Sequence, residues 1–518
     1  MKAATRSMIV DLQRPEAYPP PPPSRVELVT THISWVLLTD HEAWKLKRPV
    51  DYGFLDYTTP ELRRFFCHEE VRLNRRLAPD VYLGVVPVRK SGAHSFAADG
   101  PIVDYAVRMR RLSESVSAEA LLRRGALTHD HVARLASTLA RFYERSRETP
   151  AFGSLELARR NMAENFDQVR PCIGRFVPKA TFDDAEQRQT AFLESRAANF
   201  RERVERKRIR EGHGDLRLEH VYFESPDPVI IDGIEFNERF RMLDAASDVA
   251  FLAMEFEARS RPDLAAWFLT QFASASNDFD LYSVVDFYLA YRAWVRGKIA
   301  CFLALDPATP REKVRRKEEE ARRLFELGTR FLADRAAGAL LVVGGLTGAG
   351  KSTVAEALSI ATGYPVISSD RTRKHLAGIP SMERAPDEAY SPAFSRRTFE
   401  ELFRRAAVVM RSGRGVILDA TFRSRELRAR ARDLAARLGR QFLFVEAKCD
   451  DATLHGRLRA RSGGPSVSDA DVRILERVRR EFEPVAEFGE AEYALVDTAQ
   501  PLDGVVAAIA RRVRELES

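Results

Sequence analysis

Residues 345–352 read Gly345-Leu346-Thr347-Gly348-Ala349-Gly350-Lys351-Ser352, the spacing G-x-x-x-x-G-K-S of a Walker A phosphate-binding loop. Glycines let backbone N–H groups turn inward around phosphate oxygens. Lys351 then reaches the β/γ-phosphates, and the Ser352 hydroxyl is a ligand for Mg²⁺. The apolar run 339–343 precedes the loop, and Thr353 opens a helical pattern over 353–358. A helix starting there adds its positive N-terminal end to the same site. Strand, loop and helix together predict that the chain binds ATP with Mg²⁺.

Three further elements follow the loop. A predicted strand at 364–368 runs into Asp370-x-x-Arg373, which suits Asp370 as a base for an acceptor hydroxyl and Arg373 as a grip on the acceptor's anionic group. A second strand at 415–418 ends at Asp419, a carboxylate for contact with Mg²⁺. Arg457 and Arg461 stand at i and i+4 on a predicted helix before the break Gly463-Gly464-Pro465. Arginines so placed read as a lid that neutralises charge on a transferred phosphoryl group. Residues 338–518 show no arginine-finger sensor segment of the motor type, so a small kinase is expected there. The arrangement resembles the P-loop kinases that include gluconate kinase, zeta-type toxins and the kinase domain of polynucleotide kinase, within the broader AAA-type P-loop proteins. Asp370-x-x-Arg373 looks most like the last of the three kinases.

A second cluster lies far upstream: His213-Gly214-Asp215-Leu216-Arg217-Leu218-Glu219-His220, followed by Asp232 at the end of the strand-like run 228–231. One Asp in a tight loop and another ending a nearby strand suit phosphoryl transfer, the first acting on an acceptor hydroxyl and the second holding a metal. Trp44-Lys45-Leu46-Lys47 sets two lysines on one face of a strand, and either can pair with Glu69 or Glu70 of the following helix.

The loop around Asp215 resembles that of the aminoglycoside phosphotransferases, H-G-D-L-H-x-x-N followed by an Asp. That resemblance implies Asp215 as catalytic base, Asp232 as metal ligand, and a lysine from Lys45 or Lys47 paired with a helix glutamate, for which Glu69 is the first choice. Asp244 and Asp248 look like the family's structural aspartates. His220 occupies the place of the metal-binding Asn, and Arg217 that of the second His. A neutral imidazole ligates a metal but favours softer ions than Mg²⁺. The segment 30–88 resembles a bacterial branch in which this domain is fused to a P-loop kinase-like domain.

These side chains need two scaffolds. Strand-like segments at 26–31, 35–39, 43–47, 83–88 and 103–109 surround a helix over 60–77, and helical periodicity dominates 117–204 and 237–304. A β-rich lobe followed by a helical lobe predicts an α+β protein-kinase-like fold over 25–305. The alternation of strand and helix after 338 predicts an α/β P-loop domain with a parallel sheet. Residues 1–24, with a five-proline run at 19–23, read as a separate leader, and the Arg/Glu-rich stretch 306–337 reads as an exposed bridging helix.

The 518 residues exceed one hydrophobic core. No apolar run reaches the ~20 residues needed to cross a bilayer, and the first residues carry no apolar signal core, so a cytoplasmic protein is expected. Four scattered cysteines without C-x-x-C spacing point away from a disulfide framework or zinc site. The net charge of +7 is spread thinly, with 29 Lys+Arg against 25 Asp+Glu in residues 338–518. A nucleic-acid partner therefore has little support from charge, and small-molecule or nucleotide hydroxyl acceptors are the expected partners. The alternative is a first domain that binds without catalysis, leaving a polynucleotide-kinase-like P-loop domain as the active one.

Overall fold

The computed structural model describes residues 3–307, 309–461 and 472–517. Contacts divide the chain into two compact units, Met1–Ser154 with Val204–Leu252, and Leu155–Arg203 with Ala253–Ser518.

The first unit is built on a six-stranded antiparallel sheet. Its strands are β1 (Glu27–Thr30), β2 (Ser34–Leu38), β3 (Glu42–Lys47), β4 (Tyr82–Ser91), β5 (Ala93–Ser95) and β6 (Ile102–Arg110), in the order β1-β2-β3-β6-β4-β5. The alternation of β3 sends Trp44 and Leu46 to one face and Lys45 and Lys47 to the other. The Pro60–Asn74 helix starts cleanly because Thr59 caps the Leu62 N–H and Pro60 is at the first turn. It covers the sheet with Cys67 and Val71 packed on Val107 and Met109.

The opposite face is covered by residues expected to stand apart as a leader. The Ala3–Leu12 helix and the turn after it bury Met8, Ile9, Leu12, Ala17 and Tyr18 against Trp35, Trp44 and Val88. Met8, Ile9 and Leu12 alone, buried at roughly 1.5–3 kcal/mol each, outweigh the stiffness of the proline run as a separator. The short strands β7 (Ile209–Glu211), β8 (Val221–Tyr222), β9 (Val229–Ile230) and β10 (Met242–Asp244) form two antiparallel pairs, β7 with β10 and, between them in the chain, β8 with β9. The β-lobe and this loop-bearing region are the first part of the kinase-like architecture expected over 25–305, whose helices at 155–203 and 253–305 fall in the second unit.

In the second unit a five-stranded parallel sheet holds the glycine-rich loop. Its strands are β11 (Leu340–Gly344), β12 (Val366–Ser368), β13 (Val416–Asp419), β14 (Phe442–Lys448) and β15 (Tyr493–Asp497), in the order β12-β13-β11-β14-β15. Fully buried runs such as Leu340–Gly344 are what a sheet covered on both faces requires. The arrangement is the P-loop α/β fold. Helices from 155–203 and 253–330 belong to the same unit.

The stretch 306–337 is not an exposed bridge. The Arg311–Arg330 helix packs along the Val285–Leu305 helix and buries Ala321, Leu324, Phe325 and Leu327. Glycine permits the approach: a Cβ on Gly328 would sit 2.5 Å from Trp294 Cδ1. High charge over the whole helix hides this narrow apolar stripe from a compositional reading. Among the described residues, no helix is long and apolar enough to cross a membrane.

Candidate active sites

In the first unit the lysines of β3 meet the helix at Glu70. Lys45 Nζ and Lys47 Nζ each lie 2.8 Å from one oxygen of the Glu70 carboxylate, which is wholly buried. Glu69, the residue expected to make this pair, faces outward and binds Arg72 at 2.8 Å instead. One residue is 100° of helix, enough to move a side chain from the sheet to the surface. Lys45 also pairs with Asp232, and Lys47 with Glu235, which accepts from Tyr57 as well. Burial opposes the charge on Lys47, but Glu235 and Glu70 more than compensate and keep it an ammonium. Burial also acts against the Lys45 ammonium, and Asp232 and Glu70 outweigh it. Lys45 therefore belongs to the site around Asp232, and Lys47 is sealed beneath it.

The loop before Asp215 is held from below by Asp248. Its buried carboxylate accepts from the His213 N–H at 2.7 Å, the Gly214 N–H at 2.9 Å and the Tyr143 hydroxyl at 2.9 Å. Gly214 has φ of +86°, and a Cβ there would meet the Phe240 carbonyl oxygen at 2.8 Å. Asp244 caps the helix that follows it, its Oδ1 accepting from the Ala246 N–H at 2.9 Å. His213 Nε2 donates to the Ile231 carbonyl at 2.9 Å, leaving Nδ1 to accept from the Asp215 N–H at 3.3 Å. Burial keeps this imidazole neutral by lowering its pKa.

His220 Nδ1 in turn donates to the Asp215 carbonyl oxygen at 2.9 Å. Its Nε2 lies 3.7 Å from Asp232 Oδ2 and 3.6 Å from Glu219 Oε1. The pairing of β8 with β9 brings His220 and Asp232 together across the hairpin. Asp232 has φ of +67°, with its N–H on the Tyr82 hydroxyl at 3.1 Å, so its carboxylate is aimed by the backbone. Burial would raise the Asp232 pKa, but Lys45 and then His220 hold it well below the ordinary carboxylate range. An imidazole nitrogen and a carboxylate are a donor set that fits a divalent cation carried by nucleotide phosphates.

In the second unit the glycine-rich loop lies at the C-terminal end of β11, the central strand. Gly345, Gly348 and Gly350 have φ of +133°, +86° and +85°. At Gly345 a Cβ would meet the Ala447 carbonyl oxygen at 2.3 Å, so the loop's path demands glycine. Leu346, Thr347 and Ala349 are packed into the loop, and the Leu346 carbonyl accepts from Lys351 Nζ at 2.9 Å. Lys351, Ser352 and Thr353 form the first turn of the Lys351–Thr362 helix.

Ser352 Oγ donates to Asp419 Oδ2 at 2.8 Å, so the loop and the end of β13 meet where the sequence places a metal. Both groups are hard oxygen donors that fit Mg²⁺. Burial pushes the Asp419 carboxyl up to about 6, Lys351 and Ser352 oppose this, and nearby Asp370 and Glu356 add to it.

Asp370 and Arg373 lie on the Ser369–Leu376 helix at the end of β12. Arg373 is buried, stacked 4.8 Å from the Tyr390 ring centroid and donating to the Ala389 carbonyl and, at 3.2 Å, to Ser395 Oγ. Its Nε has no partner among the described residues. Arg457 differs from the expected lid residue. Its Nη1 donates to Thr498 Oγ1 at 2.8 Å and its Nη2 to the Thr498 carbonyl at 2.7 Å. The Thr498 hydroxyl in turn donates to the Ala349 carbonyl at 2.8 Å, so Arg457 braces the back of the loop. Arg461 ends the same Asp451–Arg461 helix, and its side chain and the 463–465 break lie outside the described residues.

The sequence reasoning missed Thr498, Glu235 and Tyr57. None of the three stands in a spacing pattern with its partners, so no local signal marks them.

Comparison with known proteins separates the two halves. A family described as "AAA domain" matches residues 340–485. The Mycobacterium tuberculosis (strain H37Rv) protein Rv2004c is 31% identical over 476 residues, covering 90% of this chain and 92% of its own length. A gluconokinase from Sinorhizobium meliloti is 27% identical, with 35% of this chain and 95% of that one covered and a TM-score of 0.26. A GDP complex of an aminoglycoside 2'-phosphotransferase is 14% identical, with 63% and 100% covered and a TM-score of 0.35.

Proposed function

Because the chain belongs to the family of the mycobacterial protein Rv2004c, with kinase-like domains in both halves, we propose that it is an ATP-dependent phosphotransferase with two sites. Each site moves the γ-phosphoryl group of ATP to a hydroxyl of a small-molecule or nucleotide acceptor. The observation that carries this reading is that each unit sets a lysine beside a strand-end aspartate, Lys45 on Asp232 and Lys351 beside Asp419. That pairing is what phosphate and its counter-cation require together.

At the P-loop, backbone N–H groups and Lys351 bind the β- and γ-phosphates, and Ser352 and Asp419 hold Mg²⁺. The cation screens charge on the transferred group; the protein aligns what attacks it. Asp370 takes the proton from the acceptor hydroxyl, and the Arg373 guanidinium offers charge to an anionic group on the acceptor. At the first site Lys45, held straight by Glu70, meets the phosphates, Asp232 and His220 hold the cation, and Asp215 orients or deprotonates the acceptor.

The test is phosphoryl transfer by the full chain with labelled ATP. Lys351→Ala removes turnover at the P-loop, Asp215→Asn removes what survives, and the double variant is inactive. Turnover that persists in the double variant sinks the reading. Nucleotide binding to Lys351→Ala with no residual turnover favours the first unit as a binding module. Oligonucleotide binding that weakens steeply with salt would favour a polynucleotide-kinase-like role.

A further inference from the structure

The helix bearing Asp370 and Arg373 is fastened to a turn outside the sheet by a single buried arginine. Thr372, fully buried on that helix, donates its hydroxyl to the Ser368 carbonyl at 2.8 Å and accepts from Arg405 Nη1 at 3.3 Å. The same Nη1 donates to Asn277 Oδ1 at 3.4 Å, and the guanidinium lies 5.3 Å from the Phe279 ring centroid. Arg405 sits on the Pro392–Arg411 helix with its side chain 2% exposed, and Glu401 neutralises it at 2.8 Å.

The turn at the other end of this tie is itself firmly set. Asn277 closes the Pro262–Ser276 helix in the left-handed region, with φ of 52°. Asp278 forms a buried ion pair with Arg203, and Asp280 accepts from Arg404 at 2.8 Å. Arg404 and Arg405 share Glu401, so neighbouring arginines grip both the turn and the acceptor helix. A helix of two turns has little stability of its own, and its direction is set by what packs on it. Only a planar guanidinium of this kind donates to Thr372 and Asn277 while still bonding Glu401; the single ammonium of lysine lacks that fork.

We propose that Arg405 is a positioning residue for phosphoryl transfer at the P-loop, setting Asp370 and Arg373 against the loop by tying their helix to the 277–280 turn. The helical region after residue 253 is then part of the P-loop catalytic unit, not an attachment to it. This rests on the assignment of Asp370 as the base. A shift of about 1 Å in a catalytic group costs on the order of 100-fold in rate while leaving nucleotide contacts intact.

The experiment uses the full chain carrying Asp215→Asn, so that ATP hydrolysis reports the P-loop site. Turnover and ATP affinity are measured for Thr372→Val, Asn277→Ala, Arg405→Lys and the Thr372→Val/Asn277→Ala pair, with Asp370→Asn as reference. Each single change is expected to lower kcat about 10- to 100-fold with ATP affinity unchanged. The pair is expected to be no worse than the worse single variant, because both changes cut the same tie. Losses that add, or a fall in ATP affinity without a fall in kcat, overturn the proposal. Should Arg405→Lys fail to fold, the two smaller changes at Thr372 and Asn277 decide. Turnover untouched by Asp370→Asn overturns the base assignment and this inference with it. Turnover lost in Asp370→Asn but kept in the tie variants overturns this inference alone.

Discussion

The two sites present similar groups to phosphate but are made by opposite means. At the P-loop the phosphate-binding groups are neighbours in the chain and largely backbone, supported by long-range contacts such as Ser352 to Asp419 across 67 residues and Thr498 to Ala349 across 149. In the first unit the pairs are side chain to side chain and two of them are remote, Lys45 and Asp232 being separated by 187 residues and Lys47 and Glu235 by 188. The first site is therefore a network of charged side chains, with Lys47 and Glu70 buried and Asp232 partly exposed. The second is a conformation of the chain, which glycines impose and packing supports. A site made of charges should fail through stability, and a site made of backbone should fail through binding.

The largest expected effect is on nucleotide binding at the P-loop. Gly345→Ala puts a Cβ against the Ala447 carbonyl and should abolish P-loop nucleotide binding, checked by titration with a fluorescent ATP analogue. Activity of the first unit, followed in the same protein, should survive. Next is Glu70→Ala, which leaves two buried ammonium groups with one carboxylate fewer. It should cost about 3–5 kcal/mol in the stability of the first unit, read by denaturant unfolding. Glu69→Ala in the same helix should change it by no more than about 0.5 kcal/mol.

A smaller effect depends on pH. Asp419 titrates in the folded, metal-free protein at about 6, above the ~3.9 of an unfolded aspartate, so its ionised form destabilises the fold above pH 6. Asp419→Asn should stabilise the metal-free chain at pH 8 by up to about 3 kcal/mol. That advantage should shrink as pH falls from 6 to 4, where the native carboxyl takes up its proton. A melting difference that stays flat across this window would show that burial does not govern Asp419. The smallest effect is ionic preference: His220→Asn should lower Mn²⁺ affinity relative to Mg²⁺, measured by electron paramagnetic resonance of Mn²⁺ with a non-hydrolysable ATP analogue.

Periodicity placed most strands of both sheets close to their observed positions. The expected strand over 43–47 is β3 at Glu42–Lys47, and that over 415–418 is β13 at Val416–Asp419. Where the expectation departed, a side chain's direction was at issue. Glu69 and Glu70 are equivalent to any spacing rule, and only docking of the Pro60–Asn74 helix on the sheet turns Glu70 inward. Arg457 has the placement of a lid arginine, yet Thr498 engages its guanidinium from the far end of β15. The leader and the Arg311–Arg330 helix looked detached because composition averages over a helix, whereas burial depends on one stripe.

The sequence by itself determined the glycine-rich loop, the strand–loop–helix around it and the two aspartate-bearing loops. Each depends on residues close enough in the chain for local sterics and hydrogen bonding to decide their conformation. Only the tertiary structure decided that Glu70 joins both lysines, that His220 Nε2 lies beside Asp232, and that Arg405 ties the Asp370 helix to Asn277. Those contacts join residues that no spacing relates. Burial decides them, because a charge removed from water must find its partner wherever the fold has brought one.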